Sequence, residues 1–247
     1  MKLFKNTAIL IWRIWFYGWM IGTIIVVFPV LIIVTAKESG YPYFFKIAKA
    51  WAKTVLFVMG FRVKVETEQQ IEKSKSYMFC ANHTSIIDIL LMLAVVKNTF
   101  VFVGKAELSK LPIFGFFYKR TCILVDRNNP ESRKAVFAEA ERRLNLGLSV
   151  CIFPEGQVPD DESIVLDKFK NGAFILALEH QIPIVPMTFY DCKKRFSYTF
   201  FSGSPGIIRT KIHQFIETEN LKVSDKKEIN SKTFKVIYNE LINDMSQ

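Results

Sequence analysis

The chain has 247 residues, half of them hydrophobic, with 33 basic side chains against 23 acidic ones and a net charge of +10. Mean hydropathy is +0.20, above the range of an ordinary soluble domain, so a purely soluble chain is disfavoured and a membrane contact is expected. The basic balance leaves nucleic acid, an anionic lipid surface or a phosphate-bearing substrate as partners. The 23 phenylalanines favour lipid, and the lysines form no recognised nucleic-acid-binding pattern, so nucleic acid is not expected.

The first element is an uncharged run from Ile14 to Ala36. Its 23 residues exceed the roughly 20 that a spanning helix needs. Trp15, Tyr17 and Trp19 place the aromatic end near headgroups, and Pro29 in the second half kinks the run or turns it back. The run is too long for a signal-peptide core, although Lys2, Lys5 and Arg13 resemble a basic leader. A second apolar stretch, Phe44 to Phe61, carries Lys46, Lys49 and Lys53 at helical spacing, the pattern of an interfacial amphipathic helix. Two geometries fit: a span followed by a surface helix, or a helical hairpin dipping into one leaflet. More Lys and Arg follow the run than precede it, which puts the rest of the chain on the cytoplasmic face.

From Val63 onward, short β-prone runs alternate with helical ones. Strands are expected at Val63–Glu66, Tyr77–Ala81, Phe100–Gly104, Cys122–Asp126, Ser149–Phe153, Ile184–Tyr190, Ser197–Phe201 and Thr210–Phe215. Helices are expected at Ile86–Val95, Glu131–Leu146, Asn171–Glu179 and Lys227–Asn243, with Pro130 opening the second and Gly147 stopping it. The alternation predicts an α/β domain with a mostly parallel or mixed sheet flanked by helices. The Lys-rich stretch from Leu221 to Lys235 reads as a basic helix or a mobile, surface-hugging tail. Cys80, Cys122, Cys151 and Cys192 form no C-x-x-C pair, and with three histidines in the chain they read as buried free thiols, with no metal implied.

Reactive residues of such folds gather in loops just past strand ends. After Tyr77–Ala81 comes Asn82-His83-Thr84-Ser85-Ile86-Ile87-Asp88. Thr84 or Ser85 suits an N-cap, and Asp88 falls in the first helical turn, where a carboxylate is favoured. On one continuous helix His83 and Asp88 would point about 140° apart. With His83 in the loop, the ring can fold back so that Asp88 accepts one ring N–H and the other nitrogen is left as a base. That is a catalytic triad without its nucleophile, and it suits a substrate that brings its own hydroxyl. The competing reading is a His and an Asp that only cap a turn.

The spacing H-x-x-x-x-D after Asn82 resembles the first motif of the glycerolipid acyltransferases. Two further matches follow in order. Gly104-Lys105-Ala106-Glu107-Leu108, followed by Ile123-Leu124-Val125-Asp126-Arg127, is similar to the second. Lys105 and Arg127 are then cations at strand ends where a phosphate docks, the alternative being plain surface charges. Phe153-Pro154-Glu155-Gly156 is similar to the third. The resemblance places Glu155 beside the acceptor hydroxyl or in a site-organising role, and lets the backbone at Gly156 approach a ligand. The family continues with Thr-Arg where this chain has Gln157-Val158, and Lys168 or Lys170 is a candidate for the missing charge. Ile182-Pro183-Ile184-Val185-Pro186 matches the fourth motif.

The resemblance implies a glycerol-3-phosphate acyltransferase-like fold and divides the chain into a membrane-anchoring segment (1–61), an acyltransferase domain (62–220) and a C-terminal basic helix or tail (221–247). It implies transfer of an acyl group from acyl-CoA or acyl carrier protein to lysophosphatidate, without metal or prosthetic group. His83 and Asp88 are the catalytic pair, and Lys105, Arg127, Glu155 and Gly156 bind substrate. The Gln157-Val158 departure keeps open a lyso-aminolipid acceptor. A non-catalytic binder of anionic membranes is the rival from another class. A serine hydrolase would need a G-x-S-x-G elbow, which the sequence lacks.

Overall fold

The computed structural model describes residues 2–126, 128–161 and 163–246, apart from the side chain of Arg133. Two helices open the chain, α1 (Lys2–Val34) and α2 (Tyr41–Val58). An α/β unit follows: β1 (Phe61–Thr67), β2 (Met78–Ala81), α3 (Ile87–Val95), β3 (Phe100–Lys105), α4 (Phe114–Thr121), β4 (Ile123–Val125), α5 (Pro130–Asn145), β5 (Ser149–Ile152), α6 (Gly172–Glu179), β6 (Ile184–Phe189), α7 (Cys192–Arg195), β7 (Gly206–Ile212) and α8 (Lys226–Met245).

The strands form one mixed sheet in the order β1-β7-β6-β2-β5-β3-β4. Among the described strands, only β6 and β7 pair antiparallel. The central strands β2 and β6 are buried at every position, as parallel strands covered on both faces must be. Pro186 sits within β6, where a prolyl nitrogen has no N–H to give. Pairing with β7 begins one residue later, at Met187, so the ladder loses no bond there. The long α5 opens on Pro130, as its sequence predicts, and the structure adds a cap: the Asn129 side chain accepts the N–H groups of Glu131 and Ser132.

Helix α1 runs unbroken through Pro29, where the sequence suggested a kink or a turn back. It is long and apolar enough to cross a membrane. One of its faces packs on the protein for most of its length. Trp12 meets Phe61, Phe16 meets Phe196, Thr23 Oγ1 accepts the Trp51 indole N–H at 2.8 Å, and Phe28 meets Phe116. The opposite face leaves Ile14, Trp15, Ile21, Ile25, Val26 and Ile33 exposed. Helix α2 is bound into the domain by Tyr41, Phe45, Ala52, Val55 and Leu56, and Lys49 Nζ donates to the carbonyl of Val96 just past α3.

One expected strand is absent. Residues 197–201 form a turn instead, because they wrap around the buried Arg13 of α1. Arg13 Nη2 donates to the carbonyls of Ser197, Thr199 and Ser202 at 2.8, 2.9 and 3.1 Å. Carbonyls committed to a guanidinium are not available to a sheet ladder. The Lys-rich C-terminal stretch is largely helical: α8 buries Ile229, Ile237 and Leu241. Its Glu240 accepts from Tyr190 and Lys211, and Asp244 pairs with Arg209.

Candidate active site

The site forms where β2 ends. The Asn82 side chain bonds the backbone of Phe189 twice, accepting its N–H at 2.8 Å and donating to its carbonyl at 2.9 Å. This amide fixes the loop against the end of β6. His83 therefore leaves the strand outside any helix and turns its ring back over the start of α3. Nδ1 lies 2.9 Å from Asp88 Oδ2. The same oxygen accepts the N–H groups of Thr84 at 2.6 Å and Ser85 at 2.8 Å. A carboxylate accepts only, so Nδ1 carries the ring proton and Nε2 is left with its lone pair. Asp88 is fully buried, and its Oδ1 makes no hydrogen bond among the described residues. The thiol of Cys192, the first residue of α7, is pushed well up in pKa by burial and by the nearby Asp88 charge.

The N-cap position of α3 falls on Ile86 and not on Thr84 or Ser85, and no side chain caps it; Ser85 lies one residue earlier. Its Oγ accepts the N–H of Ile87 at 3.3 Å and donates to the carbonyl of Phe196. Arg13 grips the residues that follow Phe196, so the loop that orders the aspartate is joined through Ser85 to α1. The sequence singled out Arg13 only as a basic residue ahead of the apolar run. A lone arginine at the edge of such a run was the available signal.

The residues after β5 form the other wall. The His83 ring stacks on Phe153 with centroids 4.3 Å apart. Glu155 is buried, and both its carboxylate oxygens are spent on backbone: Oε1 accepts the N–H of His83 at 2.6 Å and Oε2 that of Asp167 at 2.9 Å. Burial raises its pKa to about 7, against the lowering effect of those two bonds. Glu155 thus ties the third motif loop to the first. Gly156 has φ +85°, a conformation that favours glycine, and a Cβ there would meet Lys170 Nζ at 2.8 Å. Lys105 ends β3 and is exposed at the cavity wall. Arg127 lies outside the described residues.

His83, Thr84, Phe153, Gly156 and Lys105 open onto a cavity of about 870 Å³. Its remaining walls are mostly apolar, from Met20, Ile24 and Val27 of α1, Phe44 and Ala48 of α2, and Leu90 and Leu93 of α3. It runs from the C-terminal edge of the parallel strands, at His83, to their N-terminal edge. There the Tyr41 hydroxyl donates to the carbonyls of Phe100 and Thr121 at 2.8 and 3.3 Å. Gln157 and Val158 also line it. A base on the wall of a mostly apolar cavity can deprotonate a hydroxyl next to an acyl chain held inside.

A family model described as Acyltransferase matches residues 62–190, more than half of the chain. The chain belongs to the acyltransferase family. Among curated proteins, this acyltransferase is 28% identical over 219 residues to an uncharacterised acyltransferase of Schizosaccharomyces pombe, covering 87% of this chain and 78% of that one. It is 28% identical over 183 residues to human 1-acyl-sn-glycerol-3-phosphate acyltransferase beta, covering 71% and 63%. Among solved structures, the 1-acyl-sn-glycerophosphate acyltransferase PlsC of Thermotoga maritima superposes with a TM-score of 0.80, covering 100% of this chain and 99% of that one at 21% identity. The acyltransferase thus has a PlsC-like fold, with a mixed seven-stranded sheet flanked by helices and a long apolar N-terminal helix.

Proposed function

We propose that this acyltransferase moves a fatty acyl chain from an acyl thioester to the free hydroxyl of lysophosphatidate, giving phosphatidate. The observation that carries the reading is the His83–Asp88 pair at 2.9 Å, with His83 on the wall of the apolar cavity. His83 Nε2 takes the hydroxyl proton, the oxygen attacks the thioester carbonyl, and the carbon–sulfur bond breaks as the imidazolium gives that proton to the departing sulfur, releasing the thiol of coenzyme A or acyl carrier protein and restoring the base. Asp88 fixes the ring tautomer and stabilises the imidazolium that forms. No acyl-enzyme is needed, because holding both substrates in place supplies the gain of orientation. Lys105, with Arg127, is assigned to the acceptor phosphate. By charge bias, the catalytic unit faces the cytoplasm.

A second acceptor, the hydroxyl of an N-acyl amino acid lipid, is favoured by one observation. Gln157 and Val158 line the cavity where the family carries Thr-Arg. The test offers lysophosphatidate and an N-acyl amino acid lipid, in parallel, to purified protein with a labelled acyl thioester. Transfer to lysophosphatidate that is lost in His83→Ala supports the leading reading. Transfer to the aminolipid alone keeps the chemistry and changes the substrate. Transfer that persists in His83→Ala removes the base assignment.

A further inference from the structure

A second cavity of about 530 Å³ is lined by the end of α1 and the link after it, the end of α4 and the last turns of α5. It shares Tyr41, Thr121 and Cys122 with the end of the apolar cavity, at the opposite edge of the sheet. Its floor is set by Arg142 and Arg143 of α5, which pair with Glu139 and with Glu38 from the link between α1 and α2. Those two arginines and two glutamates balance. The lining also holds Lys37, Lys119 and Arg120, and among the described residues no carboxylate pairs with any of the three. Arg120 lies over the Phe116 ring and donates from one nitrogen to the Phe116 carbonyl, which leaves other guanidinium N–H groups uncommitted.

Cations at helix ends are ordinary where they offset backbone dipoles, so the size of the surplus matters. The C-terminal turns of α1, α4 and α5 meet at this cleft, and each contributes roughly half a negative charge. Together they cancel about half of the three surplus positive charges. A net attraction for an anion remains. The position says which anion. The cleft begins at Val34, directly after Ile32 and Ile33, the last apolar side chains that α1 exposes. A cationic hollow at the end of a lipid-facing helix lies at the depth of lipid phosphates.

We propose that this cleft binds the phosphate of an anionic phospholipid headgroup, as a site separate from that of the reacting lipid. The proposal rests on α1 facing lipid. It does not depend on which acceptor is acylated.

The test uses the full-length protein in neutral-detergent micelles, titrated with dioctanoyl phosphatidylglycerol, dioctanoyl phosphatidylcholine or inorganic phosphate. Binding is followed by calorimetry and by the shift in Tm. Wild type is expected to bind phosphatidylglycerol and not phosphatidylcholine. The Lys37→Gln/Lys119→Gln/Arg120→Gln variant should bind it at least about tenfold more weakly, since each cation near an anionic headgroup is worth on the order of 1 kcal/mol. Acyl transfer in neutral micelles should be unchanged in this variant. If the triple variant does not fold, Lys119→Gln alone decides, with an expected loss of about fivefold. Equal affinity in wild type and variant overturns the proposal. Inorganic phosphate that competes at matching concentration reassigns the cleft to free phosphate and overturns the lipid site. Absence of acyl transfer in wild type would count against the proposed reaction while leaving the binding result intact.

Discussion

Glu155 accepts the backbone N–H of His83 at 2.6 Å, so the residue that carries the proposed base is held by its main chain as well as by its ring. The carboxylate has a folded pKa of about 7, raised chiefly by burial, against about 4.3 in an unfolded chain. Between those values the folded protein keeps a proton that the unfolded chain releases. This contribution to stability is therefore full below about pH 4.3 and is lost as pH rises through 7. Glu155→Gln cannot titrate, and its NH₂ faces a backbone N–H. It should lower Tm, with a cost of about 1–3 kcal/mol. The gap to wild type should narrow as pH rises from 4.5 to 7. Parallel Tm–pH curves would refute the assignment.

Asp88→Asn keeps the size of the side chain but no longer requires the proton on Nδ1. The expected outcome is a fall in kcat of about 10²–10⁴ with circular dichroism close to wild type. An unaltered kcat would show that Asp88 only caps the turn.

Arg13→Met keeps most of the apolar contacts of the stem and removes three bonds to carbonyls. Chemical denaturation should show a loss of about 2–4 kcal/mol, because those carbonyls are left without their charged donor. Activity should fall further than stability predicts, since the same loop holds Ser85. Equal stability would mean that the loop closes without the guanidinium.

Ala48→Phe places a ring in the apolar cavity that Ala48 lines. Competition among acyl thioesters should shift toward shorter chains, with kcat/KM for long donors falling about fourfold for each methylene excluded. An unchanged chain-length profile would show that acyl chains do not occupy this cavity.

The faces of α1 bear on its place in lipid. Contacts from Trp12 to Phe28 bind one side of the helix to the rest of the protein over about 24 Å. A helix crossing the bilayer would leave the domain behind within a few turns. Of the two geometries that the sequence allows, we favour α1 lying within one leaflet. Nitroxides at Ile14, Ile25 and Ile33 should then report similar shallow depths in vesicles. Depths that pass through the bilayer centre would establish a span.

Local signals carried much of this architecture. Apolar runs bounded by turn residues marked seven of the strands, and Pro130 and Gly147 bracketed α5. The loop position of His83 followed from angular spacing along a helix. What escaped was set at long range. Residues 197–201 alternate like a strand, and nothing local reveals that a guanidinium from residue 13 claims their carbonyls. Helix α4 reads as an aromatic run, because its packing on α1 through Phe116 comes from a partner far away in the chain. The buried attachment of Glu155 was likewise invisible, since its two N–H donors come from residues 83 and 167.

The apolar cavity has α1 as one of its walls, and the outer face of that wall is bare. A single helix, about 10 Å across with its side chains, therefore separates the cavity from what borders that face. Such a chamber shares the mechanical state of its solvent. On the proposed reaction, the order and thickness of the host lipids bear on the space assigned to the acyl chain, so the same polypeptide is expected to be a different container in a micelle and in a membrane.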